Sequence, residues 1–159
     1  MPAIDTIDSI TIQATPEQVY RTVLDYPRMN QWFAPYHCKL IEGDEVIEGA
    51  RIEHIIGAPP LLVVNRFVRT VQRTTPGRSI EETYDEGDLV GTGTWRFEPA
   101  DTTHSTTASF HCQVKSRTLP LHLSFALTGA RAHNVVYGRL LAALKRHCER
   151  TRRPGEELA

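Results

Sequence analysis

The chain begins with an imperfect alternation of β-branched and polar residues, "IDTIDSITIQA" at 4–14, which predicts a strand. The spacing then changes. Thr15 and Gln18 form a capping box around Pro16, which sits where a helix has no N–H bond to lose. Val19, Tyr20, Val23 and Leu24 make one apolar stripe. Tyr26 precedes Pro27, and a residue before proline is pushed out of the α region, so the first helix ends near Asp25. Pro27 can start a second helix, with Met29, Trp32 and Phe33 on one face and Pro35 as its stop.

From residue 36 the period shortens. Strands are predicted near 36–42, 50–57, 62–74, 78–86, 92–98 and 104–114. Most separators are short and carry glycine, proline or aspartate, so neighbouring strands should pair antiparallel. Val136, Leu140, Leu144 and Cys148 then recur every four residues and predict a long amphipathic helix. The stretch before it, "TLPLHLSFALTG", satisfies both periods. Leu119, Leu121, Leu123, Phe125 and Leu127 alternate like a strand, yet Leu121 and Phe125 lead at helical spacing to Gly129, Ala132 and Val136. Thr118 followed by Pro120 resembles a helix start, which favours one long helix from about 118, bent at Gly129. The expected organisation is one domain over 1–150 and a frayed tail over 151–159.

Composition narrows the function classes. The 159 residues carry a formal net charge of −1, which argues against a nucleic-acid binder built on a general positive field. No apolar run approaches the roughly 18–20 residues a bilayer span needs, so no stable membrane insertion is expected. The start of the chain lacks a basic region followed by an apolar one, and the three cysteines are odd in number and far apart. Both features point to buried thiols in a reducing cytoplasm.

Three stretches, "ITIQATPEQVYRTVLDYPRMNQWFAP" at 10–35, "GTGTWRFEP" at 91–99 and "RLLAALKRHCER" at 139–150, together with the element order, resemble the START-like or Bet v 1-like helix-grip superfamily. That group includes polyketide cyclases, lipid-transfer domains, coenzyme Q-binding proteins and plant hormone receptors. The resemblance implies an α+β fold: a seven-stranded antiparallel sheet curled around a long C-terminal helix, with two short helices between the first and second strands. An elongated pocket would lie between sheet and helix, capped by the two short helices, with Trp32 at its rim. "GAPPLL" at 57–62 falls where the hormone receptors carry a mobile gate; here it is read as a plain connection.

No hydrolase, P-loop or zinc-protease motif is present, and Gly87, Gly91 and Gly93 lie at a hairpin rather than before a helix, so no phosphate cradle forms. No metal and no cofactor is expected. Strand parity supplies the candidate side chains. If Ile52 and Ile56 face inward, so does His54; if Ile80 and Tyr84 do, so does Glu82; Trp95 pairs with Phe97, and Phe110 with Ala108 and Cys112. Within 62–74 either face can be the inner one. A buried Glu82 needs a partner, for which His54 and Arg66 are candidates. The candidate ligand-binding set is Trp32, Tyr36, His54, Arg66, Glu82, Tyr84, Trp95, Phe110, Val136 and Tyr137.

The leading expectation is a non-catalytic binding or carrier protein, monomer or homodimer, for a lipid, isoprenoid or aromatic molecule. A second is a cyclase or aromatase with His54 and Glu82 as its acid–base pair. A third is a coenzyme Q-binding chaperone-like protein.

Overall fold

The structure is a computed structural model and describes residues 4–57, 64–102 and 104–151. Strand β1 (Ile4–Ile12) leads to helix α1 (Pro16–Leu24) and a 3-10 helix (Tyr26–Gln31). Six strands follow: β2 (Tyr36–Leu40), β3 (Arg51–Ile56), β4 (Asn65–Thr75), β5 (Ser79–Gly87), β6 (Leu89–Pro99) and β7 (Thr106–Ser116). Two helices close the chain, α2 (Leu119–Thr128) and α3 (Ala130–Arg150). All seven strands form one antiparallel sheet in the order β1-β7-β6-β5-β4-β3-β2. β2 to β7 are thus a run of hairpins, and β1 returns beside β7. The helix-grip architecture is the one the sequence implies.

Local chemistry explains the elements. Thr15 accepts a bond from the Gln18 backbone N–H at 3.3 Å, so half of the capping box forms. The other half does not, because the Gln18 side-chain amide instead donates to the Cys148 carbonyl and ties α1 to α3. The helix from Pro27 is one 3-10 segment that stops before Trp32, so Trp32 and Phe33 lie beyond it rather than on its face. Residues 119–128 are helical, and Gly129 interrupts the helix rather than bending it, so that α2 and α3 are separate. With φ +56° and ψ −149° it occupies a region open almost exclusively to glycine.

The sheet's concave face and α3 bury the core. Val136, Leu140, Leu144 and Cys148 are buried together, as their spacing predicts. Ile52, His54 and Ile56, Ile80, Glu82 and Tyr84, Trp95 and Phe97, and Ala108, Phe110 and Cys112 all point inward. Gly93 leaves room for Phe110, whose ring would lie 2.9 Å from any Cβ there. Aromatic rings then run from sheet to helix. Trp95 and Phe110 have centroids 4.8 Å apart, Phe110 stacks on Tyr137 at 4.8 Å, and Tyr137 stacks on His133 at 4.3 Å. This stack fills the middle of the grip with the protein's own side chains, and a cavity lies to one side of it.

Candidate functional site

β4 decides the character of the interior. Asn65, Phe67, Arg69 and Val71 face inward, and Arg66 faces out. Val68 is buried on the outer side, flanked by its strand partners Glu53 and Glu86. Arg66 pairs there with Glu53 in solvent, so it neither lines a pocket nor neutralises Glu82. The arginine that meets Glu82 is Arg69, which is 2% exposed.

Arg69 is the centre of a buried polar cluster. Its Nη1 donates to Glu82 Oε2 at 3.2 Å, and its Nη2 donates to the Tyr84 hydroxyl at 2.6 Å and the Tyr137 hydroxyl at 2.7 Å. The guanidinium also sits 4.6–5.3 Å from the ring centres of Tyr84, Phe110 and Phe67, an arrangement in which aromatic faces help carry the desolvated charge. Burial opposes that charge, but the surrounding tyrosine oxygens and Glu82 hold the guanidinium protonated. Burial raises the Glu82 carboxyl, while Arg69 and the Tyr26 hydroxyl pull it back down.

A second set adjoins it. His54 Nδ1 lies 3.1 Å from the Tyr36 hydroxyl and 3.3 Å from Cys38 Sγ, and its ring stacks on Phe67 at 5.2 Å. Burial, with the positive charge of Arg69 adding to it, keeps His54 neutral. The same burial pushes the Cys38 thiol far up, so it is no nucleophile.

Tyr84 and Tyr137 close the floor of a cavity between the sheet and the two last helices. Ile4, Ile56, Phe67, Leu89 and Val114 give its apolar sheet wall, and Phe125 and Val136 its helical wall. Tyr36, Asn65, Ser124 and His133 add polar points. His133 Nδ1 lies 3.3 Å from the Thr6 hydroxyl and 3.6 Å from Asp8 Oδ2. Burial holds His133 down at about 4 and raises the Asp8 carboxyl, so the two are not an ion pair at neutral pH. The space is narrow. The centre of a water-sized sphere has about 50 Å³ to move in, room for a few waters.

The structure therefore divides the candidate set. Tyr36, Tyr84, Val136 and Tyr137 line the cavity. His54, Glu82, Trp95 and Phe110 are buried behind that lining as core and cluster. Trp32 is not at the cavity rim; it stacks on His147 at 6.2 Å over a separate surface depression with Arg21 and Arg28. The prolines of the "GAPPLL" connection, and residues 152–159 of the tail, lie outside the described residues. Sequence reasoning missed Arg69 and Ser124; it left Asn65 on one of two undecided faces and favoured a surface or partly buried place for His133, which lines the cavity. Arg69 shares parity with Phe67 and Val71, and that was the available signal.

Comparisons agree with this architecture. No sequence relative among curated proteins matches. Several solved structures do. The protein TTHA0849 from Thermus thermophilus superposes with a TM-score of 0.78 at 15% identity, over 94% of this chain and 100% of that one. The Zhui aromatase/cyclase from Streptomyces sp. R1128 gives 0.73 at 16% identity, over 96% and 98%. A START superfamily protein from Mycobacterium smegmatis gives 0.69 at 14% identity, over 93% and 99%. At such identities the likeness is one of fold. The sequence itself matches the family model described as polyketide cyclase / dehydrase and lipid transport over residues 4–149, from the first residue of β1 almost to the end of α3, and the chain belongs to that family.

Proposed function

We propose that this protein binds an elongated, mainly apolar small molecule that carries an oxygen function at one end, and that it does so as a carrier. The observation behind this reading is the Arg69–Tyr84–Tyr137 cluster at the floor of an apolar cavity. A guanidinium has donors and no acceptor, so both tyrosine oxygens accept from Arg69; their own O–H groups can donate, that of Tyr84 having only the weak acceptor Cys112 Sγ, 3.7 Å away, for a ligand oxygen to displace. Two polarised phenol donors suit a carbonyl, carboxylate or quinone oxygen, and the aliphatic walls suit the remainder of a lipid, isoprenoid or aromatic ligand.

Ligand sites usually offer about 300–1,000 Å³, far more than the cavity here. Entry therefore requires the wall to yield. α2 is the wall best suited to do so, since it packs on β7 and α3 alone among the well-contacted elements and ends at the Gly129 break.

A cyclase reading draws on the same donors, which could hold a developing enolate oxygen. It is weaker because Glu82 and His54, its acid–base pair, stand behind the lining and not on it. Extraction of the purified protein, or native mass spectrometry, should reveal a bound apolar molecule that is lost in Tyr137→Phe. Glu82→Gln strands Arg69 and lowers stability, so it separates the two readings only on protein held well below its melting temperature: there a carrier keeps its ligand, whereas a cyclase loses turnover. A protein that retains no apolar molecule and binds none from an added panel would end the carrier reading.

A further inference from the structure

α2 faces the wrong way for a helix in water. Its core-facing stripe is Leu121, Ser124, Phe125 and Thr128, and two of these four are hydroxyl residues. Its solvent stripe carries Leu119, Leu123 and Leu127, which are 69%, 53% and 80% exposed. No charged side chain lies within α2. The apolar surface continues past Gly129, where Leu127 and Val135 share a shallow depression with Arg131.

The charge along this part of the chain is one-sided, although the fold sets Asp88 beside Arg117, whose backbone N–H donates to the Asp88 carbonyl at 2.7 Å. Residues 102–148 contain six Lys or Arg and no Asp or Glu, in a chain whose net charge is −1. Lys115 and Arg117 precede α2, Arg131 follows it, and Arg131, Val135 and Arg139 recur at four-residue spacing along the exposed side of α3. Leucines flanked by cations, with no carboxylate between them, match the boundary between acyl chains and anionic headgroups.

We propose that the outer face of α2, with the start of α3, is a docking surface for a membrane carrying anionic lipid. The leucines enter the acyl boundary while Arg117 and Arg131 meet lipid phosphates. A second copy of this chain would fit less well, because a two-fold contact sets the same face against itself and brings like cations together. A nucleic acid would leave the leucines without partners. No helix among the described residues is long and apolar enough to cross a membrane, so the contact is peripheral. The inference rests on the outside of α2 and not on the identity of any cavity ligand. The two meet in one respect: Ser124, Phe125 and Thr128 on its inner side wall the cavity, so docking would act on the movable wall.

The test is co-sedimentation of the full chain with vesicles of phosphatidylcholine, with or without phosphatidylglycerol. Binding should require phosphatidylglycerol and weaken as salt rises. Leu123→Gln with Leu127→Gln should weaken it by about tenfold or more, and Arg131→Gln by several-fold. All these positions are exposed, so an unchanged melting temperature will confirm that the variants fold. Absence of binding to the anionic vesicles, or equal binding by the leucine variant, would overturn the proposal. So would a wild-type dimer, seen by analytical ultracentrifugation, that the leucine variant dissolves. Mass spectrometry of bound molecules without vesicles reports on the carrier reading separately.

Discussion

Replacing Arg69 with methionine should expose the energetic centre of this fold. The change keeps a long side chain and removes the guanidinium from a position that is 2% exposed. Glu82, whose side chain is fully buried, then loses the cation 3.2 Å away, and two tyrosine oxygens lose their donor. Removing one partner of a buried ion pair costs about 3–5 kcal/mol, because the other charge stays behind without water. For a chain of this size each kcal/mol moves the melting temperature by about 2–4 °C, so a fall of roughly 6–20 °C is expected. The sign of the pH response is a sharper check. Burial already raises the Glu82 carboxyl above its ordinary 4.5. A raised acid contributes stability below the unfolded value and loses it as pH rises through the folded value. Without Arg69 the folded value climbs further, so Arg69→Met should recover stability relative to the parent between about pH 8 and about pH 5. Adding Glu82→Gln removes the stranded charge and should restore at least about 2 kcal/mol. Thermal unfolding followed by circular dichroism at the two pH values measures all three effects. A double variant no more stable than Arg69→Met, or a deficit indifferent to pH, would refute the view that a buried charge pair organises this interior.

Two further outcomes follow from the geometry. Gly91 has φ +148°, and a Cβ there would run into the Gln113 carbonyl and lie 2.9 Å from the Val114 Cα, so Gly91→Ala should disturb the β6–β7 pairing. Backbone strain of this kind costs about 1–3 kcal/mol, readable as a shift in the urea midpoint; an unshifted midpoint would contradict it. His133 is held at about 4, below its ordinary 6.5, mainly by burial. A depressed histidine loses stability as pH falls from about 6.5 toward about 4, by up to about 3 kcal/mol. His133→Gln should flatten that part of the acid-unfolding curve, with neutral His54 keeping some of the slope. An unchanged curve would mean that His133 titrates freely.

Much of the fold was legible because period and burial coincide. β3, β5, β6 and β7 each bury one parity, and the α3 stripe repeats every four residues without interruption. β4 was not legible, because apolar residues occupy both parities at Phe67 and Val68, and the sheet buries Val68 from outside. With that tie unresolved, Arg66 looked as able as any to meet Glu82. Extending the Asn65–Phe67 parity by one step leads to Arg69, and register against Tyr84 completes the cluster. Trp32 misled for a different reason. Its spacing from Met29 assumed an α-helix, and the 3-10 turn ends before it, which leaves the ring against His147. The double period of 118–128 has a physical meaning too. Leucines on alternate positions of a helix must point to both sides, so the ambiguity itself marked a helix that is apolar outside as well as inside.

Burial and exposure are distributed unevenly, and that bears on how the protein works. A buried Arg69 cluster and a packed aromatic stack leave little room for a ligand to move, whereas the α2 wall is short, ends at a glycine break and shows water three leucines. In a catalyst the pressure falls on the anchor, where reacting atoms must be held and protons moved, and the candidate acid and base should reach the cavity. Here Glu82 and His54 are spent on the architecture of the anchor itself. In a carrier the demand falls on the wall, which must open at a surface where an apolar molecule can leave without crossing water. The proposed carrier matches the second pattern: a buried polar cluster beneath a short helix whose outer leucines face water.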